Sequence, residues 1–522
     1  LTQIMNTSSD SLWQLIKSLK GAEKTFLKRN FVSKKLNAKQ VYLKLFDAIA
    51  KQKVYDEAAI IKKFSPAITK KNIAFQKHYL QNIVGEAIAE YDSRKTIGQE
   101  IYNQILLIRV LRKRGLIDGA NALWEKTVLK ARASEMYPFL TMLITEFEKM
   151  ILSGSSETQF EDLHSVFKGR TITYNEYAEM ITLRDIYTEV LLLKRKSHFD
   201  IDDDLKERII FLLEIVNKSN IQKHVKSFWF RHYYHLNKAT LLYLLNDIEN
   251  AMPLLKEALN DWKNNTQYIK KDGEFYIELL YMINYAGILH GDYQFVINSF
   301  NNPVNDFIDD PLQRANFESI KYLALNKIYN KTAKYSDVKK LVQHMKTKYR
   351  HWEPLLDADL NRTLNFSLGI ACFVLEDYND ALYFVKRGNT YFKDGTREEH
   401  SAVAHILLLL ITFSMDNDRL FETEYRATYT YFYKRKKKHP FETALVQCLK
   451  RSFYLTDKQI KVKEYEKALE VFEENKDDAV QQIIFKIFNY PGWLMSKVQN
   501  IPYYKYVENK VKAEELRTIP GK

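Results

Sequence analysis

The sequence predicts an all-α protein: a helical-hairpin repeat solenoid preceded by a basic N-terminal helical domain. Three observations carry this. Glycine supplies only 15 and proline only 10 of 522 residues, under half the usual share of about 12%, and strand hairpins and tight turns depend on these residues for their special dihedral angles. Amphipathic segments of helix length follow one another with apolar residues three and four apart. One short motif also recurs at a nearly constant step.

The motif is clearest in LLNDIENAMPLLKEAL (Leu244–Leu259), VLEDYNDALYFVKRG (Val374–Gly388) and VKEYEKALEVFEEN (Val462–Asn475). Each has an aromatic or aliphatic residue, two polar residues, a small residue, and an apolar residue four later. The anchors are Ile248/Ala251/Leu255, Tyr378/Ala381/Val385 and Tyr465/Ala468/Phe472. Weaker copies read Ile117/Ala120/Trp124, Phe160/Leu163/Phe167, Leu205/Arg208/Leu212, Tyr293/Val296/Phe300, Tyr335/Val338/Val342 and Leu420/Thr423/Ala427. Taken together, the middle anchors lie 42 to 45 residues apart. A single copy is generic for an amphipathic helix, but nine at a steady step define a unit. Another amphipathic segment precedes each copy, as at Arg362–Leu375, so the unit is helix–turn–helix.

At LNFSLGIACFVLEDYNDALYFV (Leu364–Val385) the pattern resembles the tetratricopeptide-repeat (TPR) family. Leu368-Gly369 matches the close contact between paired helices, and Gly369, Tyr378, Ala381 and Val385 fall on the family pattern. The resemblance implies a TPR-like superhelix of about nine hairpins over residues 96–480, with a surface that recognises peptides or folded proteins. The step of about 43 exceeds the family's usual ~34, so longer helices or turns are expected.

Residues 1–95 break the period. Helices are expected at Ser9–Asn30, Ala38–Lys51, Asp56–Phe64 and Thr69–Tyr91, with Ser65-Pro66 separating the last two and Thr69 as an N-cap. Residues 481–522 read as capping helices: Gln481–Phe488, a break at Tyr490-Pro-Gly, then Lys505–Leu516.

Net charge is +14, of which residues 1–80 carry +11, with 16 Lys/Arg against 5 Asp/Glu. Apolar runs such as Ile406–Ile411 fall far short of the ~20 residues that span a bilayer, and the first residues lack a signal peptide's pattern. Two cysteines, Cys372 and Cys448, make no disulfide framework. A reduced, cytoplasmic protein without a membrane partner is expected. Phosphate-loop, dinucleotide, zinc-protease and nucleophile-elbow motifs are missing, so neither catalysis nor a cofactor is expected. Asp200 and Asp202–Asp204 read as the cap of a helix near Leu205 rather than a cation site. His232 and His235 share a helical face without a third ligand nearby in sequence, so no metal is expected.

Two surfaces carry candidate contacts. In TYTYFYKRKKKHP (Thr428–Pro440), Tyr425, Tyr429, Phe432 and Tyr433 form one helical stripe, and Lys434, Arg435, Lys436, Lys437 and Lys438 follow as its cationic end. A packing helix that ends in solvent already accounts for both features; the tyrosines and the cations are also the candidate patch for an acidic protein partner. The second surface lies in a helix–turn–helix-like stretch within residues 1–95, where Thr69, Lys70, Lys71, Asn72, Gln76, Lys77 and Gln81 are types that touch phosphates and base edges. The expected function is a non-enzymatic protein-binding scaffold or regulator. The alternative is a nucleic-acid-binding regulator whose solenoid senses a ligand or peptide.

Overall fold

The computed structural model describes residues 11–19, 21–33, 39–52, 54–93, 96–153, 159–196, 202–219, 227–391, 398–435 and 439–518. Among them every regular element is a helix. The chain divides into two compact units, Leu1–Ala178 and Glu179–Lys522.

The first unit holds α1 (Ser11–Ser18), α2 (Gly21–Ser33), α3 (Lys39–Lys51), α4 (Glu57–Phe64), α5 (Ile73–Ser93), α6 (Ile97–Lys113), α7 (Ile117–Ala133) and α8 (Tyr137–Ser153). Leu12, Ile16, Leu45, Phe46, Ile60, Leu80 and Val84 form one core for its first five helices. The segment expected as a single helix from Ser9 is two helices, α1 and α2. Trp13 Nε1 and Lys17 Nζ donate to the carbonyls of Gln52 (3.2 Å) and Ala50 (2.8 Å), which ties α1 to the end of α3. Asp56 caps α4 by accepting the Ala59 amide at 3.0 Å. α5 starts at Ile73 rather than at Thr69. The cause is Asn72, whose Oδ1 accepts the Thr69 amide (2.7 Å) and whose Nδ2 donates to the Ala67 carbonyl (3.1 Å), holding a turn in front of the helix.

α9 (Gln159–Lys196) carries the Leu163 copy of the motif and the next amphipathic segment on one 38-residue helix. The second unit continues with α10 (Asp203–Lys218), α11 (Phe228–Leu244), α12 (Ile248–Asn264), α13 (Gln267–His290), α14 (Tyr293–Phe300), α15 (Pro311–Lys331), α16 (Tyr335–Trp352), α17 (Ala358–Val374) and α18 (Tyr378–Asn389). Then come α19 (Glu398–Ser414), α20 (Asp418–Lys434), α21 (Pro440–Tyr454), α22 (Lys458–Glu474), α23 (Ala479–Ile487), α24 (Tyr490–Val498) and α25 (Tyr503–Thr518).

Consecutive helices pack as hairpins, and one turn recurs in them. Gly115, Asn246, Gly291, Ala333, Glu376 and Asp416 all take positive φ two residues before the second helix begins. In five of these turns the next amide reaches back over the helix end: Leu116 to Leu111 O (3.0 Å), Asp247 to Leu242 O (2.9 Å), Asp292 to Gly287 O (3.0 Å), Lys334 to Tyr329 O (2.8 Å) and Asp377 to Cys372 O (2.9 Å). That is a left-handed C-terminal cap, and a connector this short makes the two helices antiparallel neighbours. The pairs approach closely at glycine. A methyl at Gly369 would lie 2.5 Å from Val385 Cγ2, and one at Gly287 would collide with Val296.

Ala120, Ala251, Val296, Val338, Ala381 and Ala468 are buried, as their place in the motif requires. Two copies depart from the motif: the Thr423 copy is displaced by one residue, and the Arg208 copy keeps Leu212 inward but not its middle anchor. Arg208 and Thr423 are exposed, while Ile209/Leu212/Val216 and Phe421/Glu424/Thr428 turn inward. Burial of Glu424 is tolerated because Lys386 Nζ lies 2.8 Å from its carboxylate. The side chain of Leu163 lies outside the described residues.

The C-terminal helices reach back across earlier hairpins. Phe488 lies 5.7 Å from Phe373 of α17, Tyr504 6.0 Å from Tyr335 of α16, and Trp493 5.8 Å from Phe413 of α19, ring to ring. Tyr490-Pro-Gly, expected as a break, starts α24 under an Asn489 cap with proline at a position where no amide is needed. No helix among the described residues is long and apolar enough to cross a membrane.

Candidate functional site

α20 presents one open face. Phe421 turns inward and stacks on Phe453 of α21 at 4.0 Å. On the solvent side Tyr425, Tyr429 and Tyr433 stand in a row four residues apart, with neighbouring rings 6.2 and 6.4 Å apart. Tyr425 is half-buried, and Tyr429 and Tyr433 are 57% and 72% exposed. Lys450 of α21 places its ammonium 4.5 Å from the Tyr425 ring centre. Glu422 accepts hydrogen bonds from Lys450 and from the Tyr454 hydroxyl, and these donors hold its carboxyl below the usual range. Toward the start of the helix, Asp418, Arg419, Glu422, Thr423 and Arg426 line a shallow hollow of about 410 Å³.

The cationic end of this stretch is divided by the fold. Lys434 is exposed in the last turn of α20. Arg435, expected in solvent, is buried: its guanidinium donates to Glu442 Oε1 at 2.7 Å, with side-chain exposures of 2% and 1%. Glu442 also accepts the His439 amide at 3.1 Å, so His439-Pro440 starts α21 rather than merely stopping α20. Lys436, Lys437 and Lys438 lie outside the described residues.

In the first unit the residues expected to meet nucleic acid are also split. Thr69, Lys70 and Lys71 are exposed. Asn72 holds the turn described above. Gln76 accepts the Tyr42 hydroxyl at 2.5 Å. Lys77 donates to Glu57 at 2.8 Å and sits 4.9 Å from the Tyr55 ring centre; Glu57 is held below the usual carboxylate range mainly by that bond. Gln81 is half-buried. Sequence reasoning missed the exposed Phe75 and Tyr79 on the same helix, 67% and 41% open to solvent.

Compared with known proteins, the chain matches no protein-family model and no curated sequence. Fold and geometry therefore carry the functional reading.

The histidines serve the core. Trp262 Nε1 donates to His232 Nδ1 at 3.2 Å, and burial pushes the His232 ring down to about 3, leaving it neutral. His235 meets Glu257 at 3.2 Å and Asp261 at 3.6 Å, carboxylates of α12 that lie well downstream in sequence. Asp261 already pairs with Arg231 at 3.1 Å. Another grouping, Cys372, Asp377 and Asp380, comes together around the turn between α17 and α18. The Lys346 ammonium pairs with Asp377 at 3.1 Å and with Asp380, occupying the place a cation would take. Burial pushes the Cys372 thiol up to about 12, far from thiolate chemistry at neutral pH. Asp202 caps α10 by accepting the Leu205 amide at 2.8 Å, with Asp203 and Asp204 in its first turn.

Proposed function

We propose that this chain is a non-enzymatic scaffold or regulator whose tetratricopeptide-like hairpins bind a protein partner, with the open face of α20 as a contact patch. The carrying observation is the tyrosine row Tyr425–Tyr429–Tyr433. Tyrosine offers large contact area with little rotamer entropy to lose, and aromatic residues concentrate at interfaces for that reason. Beside the row stand Lys434 and Arg426, both exposed, which favours a partner with an acidic rim around an apolar centre. The recurrent hairpin turn supports this reading, since in a helical-hairpin array each hairpin offers a further pair of helix faces.

The test is affinity capture with the full chain, followed by the same capture with Tyr429→Ala/Tyr433→Ala and with Lys434→Glu. Both variants should lose the same protein while melting at the wild-type temperature, since exposed positions contribute little to stability. Undiminished capture by both would remove α20 from the interface.

A further inference from the structure

We infer that the exposed face of α5 at Phe75 and Tyr79, with Lys71 in the turn before it, is a stacking platform for single-stranded nucleic acid. Two orientations decide this against duplex reading. Side chains that read base edges in a major groove are Asn, Gln, Lys and Arg in bidentate contact. Three of these, in the first turns of α5 and the turn before it, are committed elsewhere: Asn72 to its turn, Gln76 to Tyr42, Lys77 to Glu57. What faces outward instead is a cation in the turn and two rings of α5, the rings four residues and so about 6 Å apart along the axis.

Phe75, 67% exposed, has no polar atom with which to read a base, but it has a flat π-face. Tyr79 is steadied by Tyr42, whose ring centre lies 4.8 Å away, so this ring is held in place before any ligand arrives. Lys70 and Lys71 are exposed and make no ion pair or hydrogen bond within the described residues, which leaves both ammonium groups available for phosphates. The surrounding chain carries the matching field, 16 Lys/Arg against 5 Asp/Glu in residues 1–80. Aromatic faces that stack unpaired bases, flanked by cations that follow the backbone, are the chemistry of sequence-tolerant single-strand binding. Bases locked inside a duplex offer no face to such rings. This inference is independent of the α20 patch, and either can fail alone.

The experiment measures fluorescence anisotropy of labelled oligo(dT), oligo(U) and a duplex of equal length with the full chain, across a salt series. The single strands should bind more tightly than the duplex. Phe75→Ala should weaken single-strand binding between about five- and about 150-fold, the range for losing one stacking ring, while Phe75→Trp retains it. Lys70→Gln with Lys71→Gln should flatten the log–log salt slope by about 1.4. Circular dichroism and melting of each variant should match wild type, since Phe75 lies outside the core. No single-strand binding at low salt would overturn the inference. So would equal affinity for the duplex, an unchanged Phe75→Ala, or loss from Phe75→Ala of a protein partner in a chain that binds no oligonucleotide.

Discussion

Replacing Arg435 by Glu should be among the most destabilising single changes at the surface-like end of α20, although its neighbour Lys434 tolerates the same change. Arg435 and Glu442 form an ion pair that is nearly closed to water on both sides, and Glu442 spends its second oxygen on the His439 amide that starts α21. Removing one partner of such a pair leaves an uncompensated buried charge, at a cost of about 3–5 kcal/mol. A carboxylate at 435 sits toward the upper end, because like charges then face each other. Against a typical domain stability of about 5–15 kcal/mol, that is a large fraction. Lys434→Glu removes only an exposed cation from a helix C-terminus, worth about 0.3–1 kcal/mol. Urea unfolding followed by circular dichroism, read on the transition of the unit Glu179–Lys522, separates the two. Arg435→Met combined with Glu442→Gln should recover most of the loss, since it removes both charges and keeps an acceptor for the His439 amide. An Arg435→Glu protein within about 1 kcal/mol of wild type would refute the buried-pair reasoning.

Two further outcomes follow from the same physics. Gly369→Ala should cost about 1–3 kcal/mol, because its methyl would press into Val385 in a filled hairpin contact; Gly85→Ala, mid-helix with nothing within 4 Å of the new methyl, should stabilise by about 0.5–1 kcal/mol. Paired denaturation curves check both. His232 must stay neutral in the folded state, so the unfolded chain takes up its proton first. Stability should be level above about pH 6.5 and fall on acidification toward pH 3, by up to about 1.4 kcal/mol per pH unit. His232→Phe should show a shallower decline in melting temperature between neutral pH and pH 5, and an unchanged decline would mean other groups set it.

The sequence was informative where local rules decide. Asp56, Asp202, Asp247, Asp377 and Asp457 cap the helices that follow them, and the small-residue anchors mark hairpin contacts at Ala251 and Ala381. It was uninformative where a side chain's role depends on a residue from another element. Thr423 resembled an anchor because the true inward residue is Glu424, made tolerable only by Lys386 on another helix. Arg435 looked like one cation in a run because Glu442 belongs to the next helix. Gln76 and Lys77 read as available polar groups because Tyr42 and Glu57 sit far away in the chain. Phe75 went unnoticed because nothing local distinguishes an apolar residue on the dry face from one on the wet face.

The aromatic contacts of α23–α25 impose an order in time. Tyr335 and Phe373 meet Tyr504 and Phe488, partners made well over a hundred residues later. At usual rates of synthesis that delay is on the order of ten seconds. Throughout it, hairpins that are otherwise complete carry bare rings where the last helices will settle. A transcript cut short near residue 480 would leave those rings bare for good, and its product would meet the cell's chaperones and proteases as an unfinished protein, however well its earlier helices had formed.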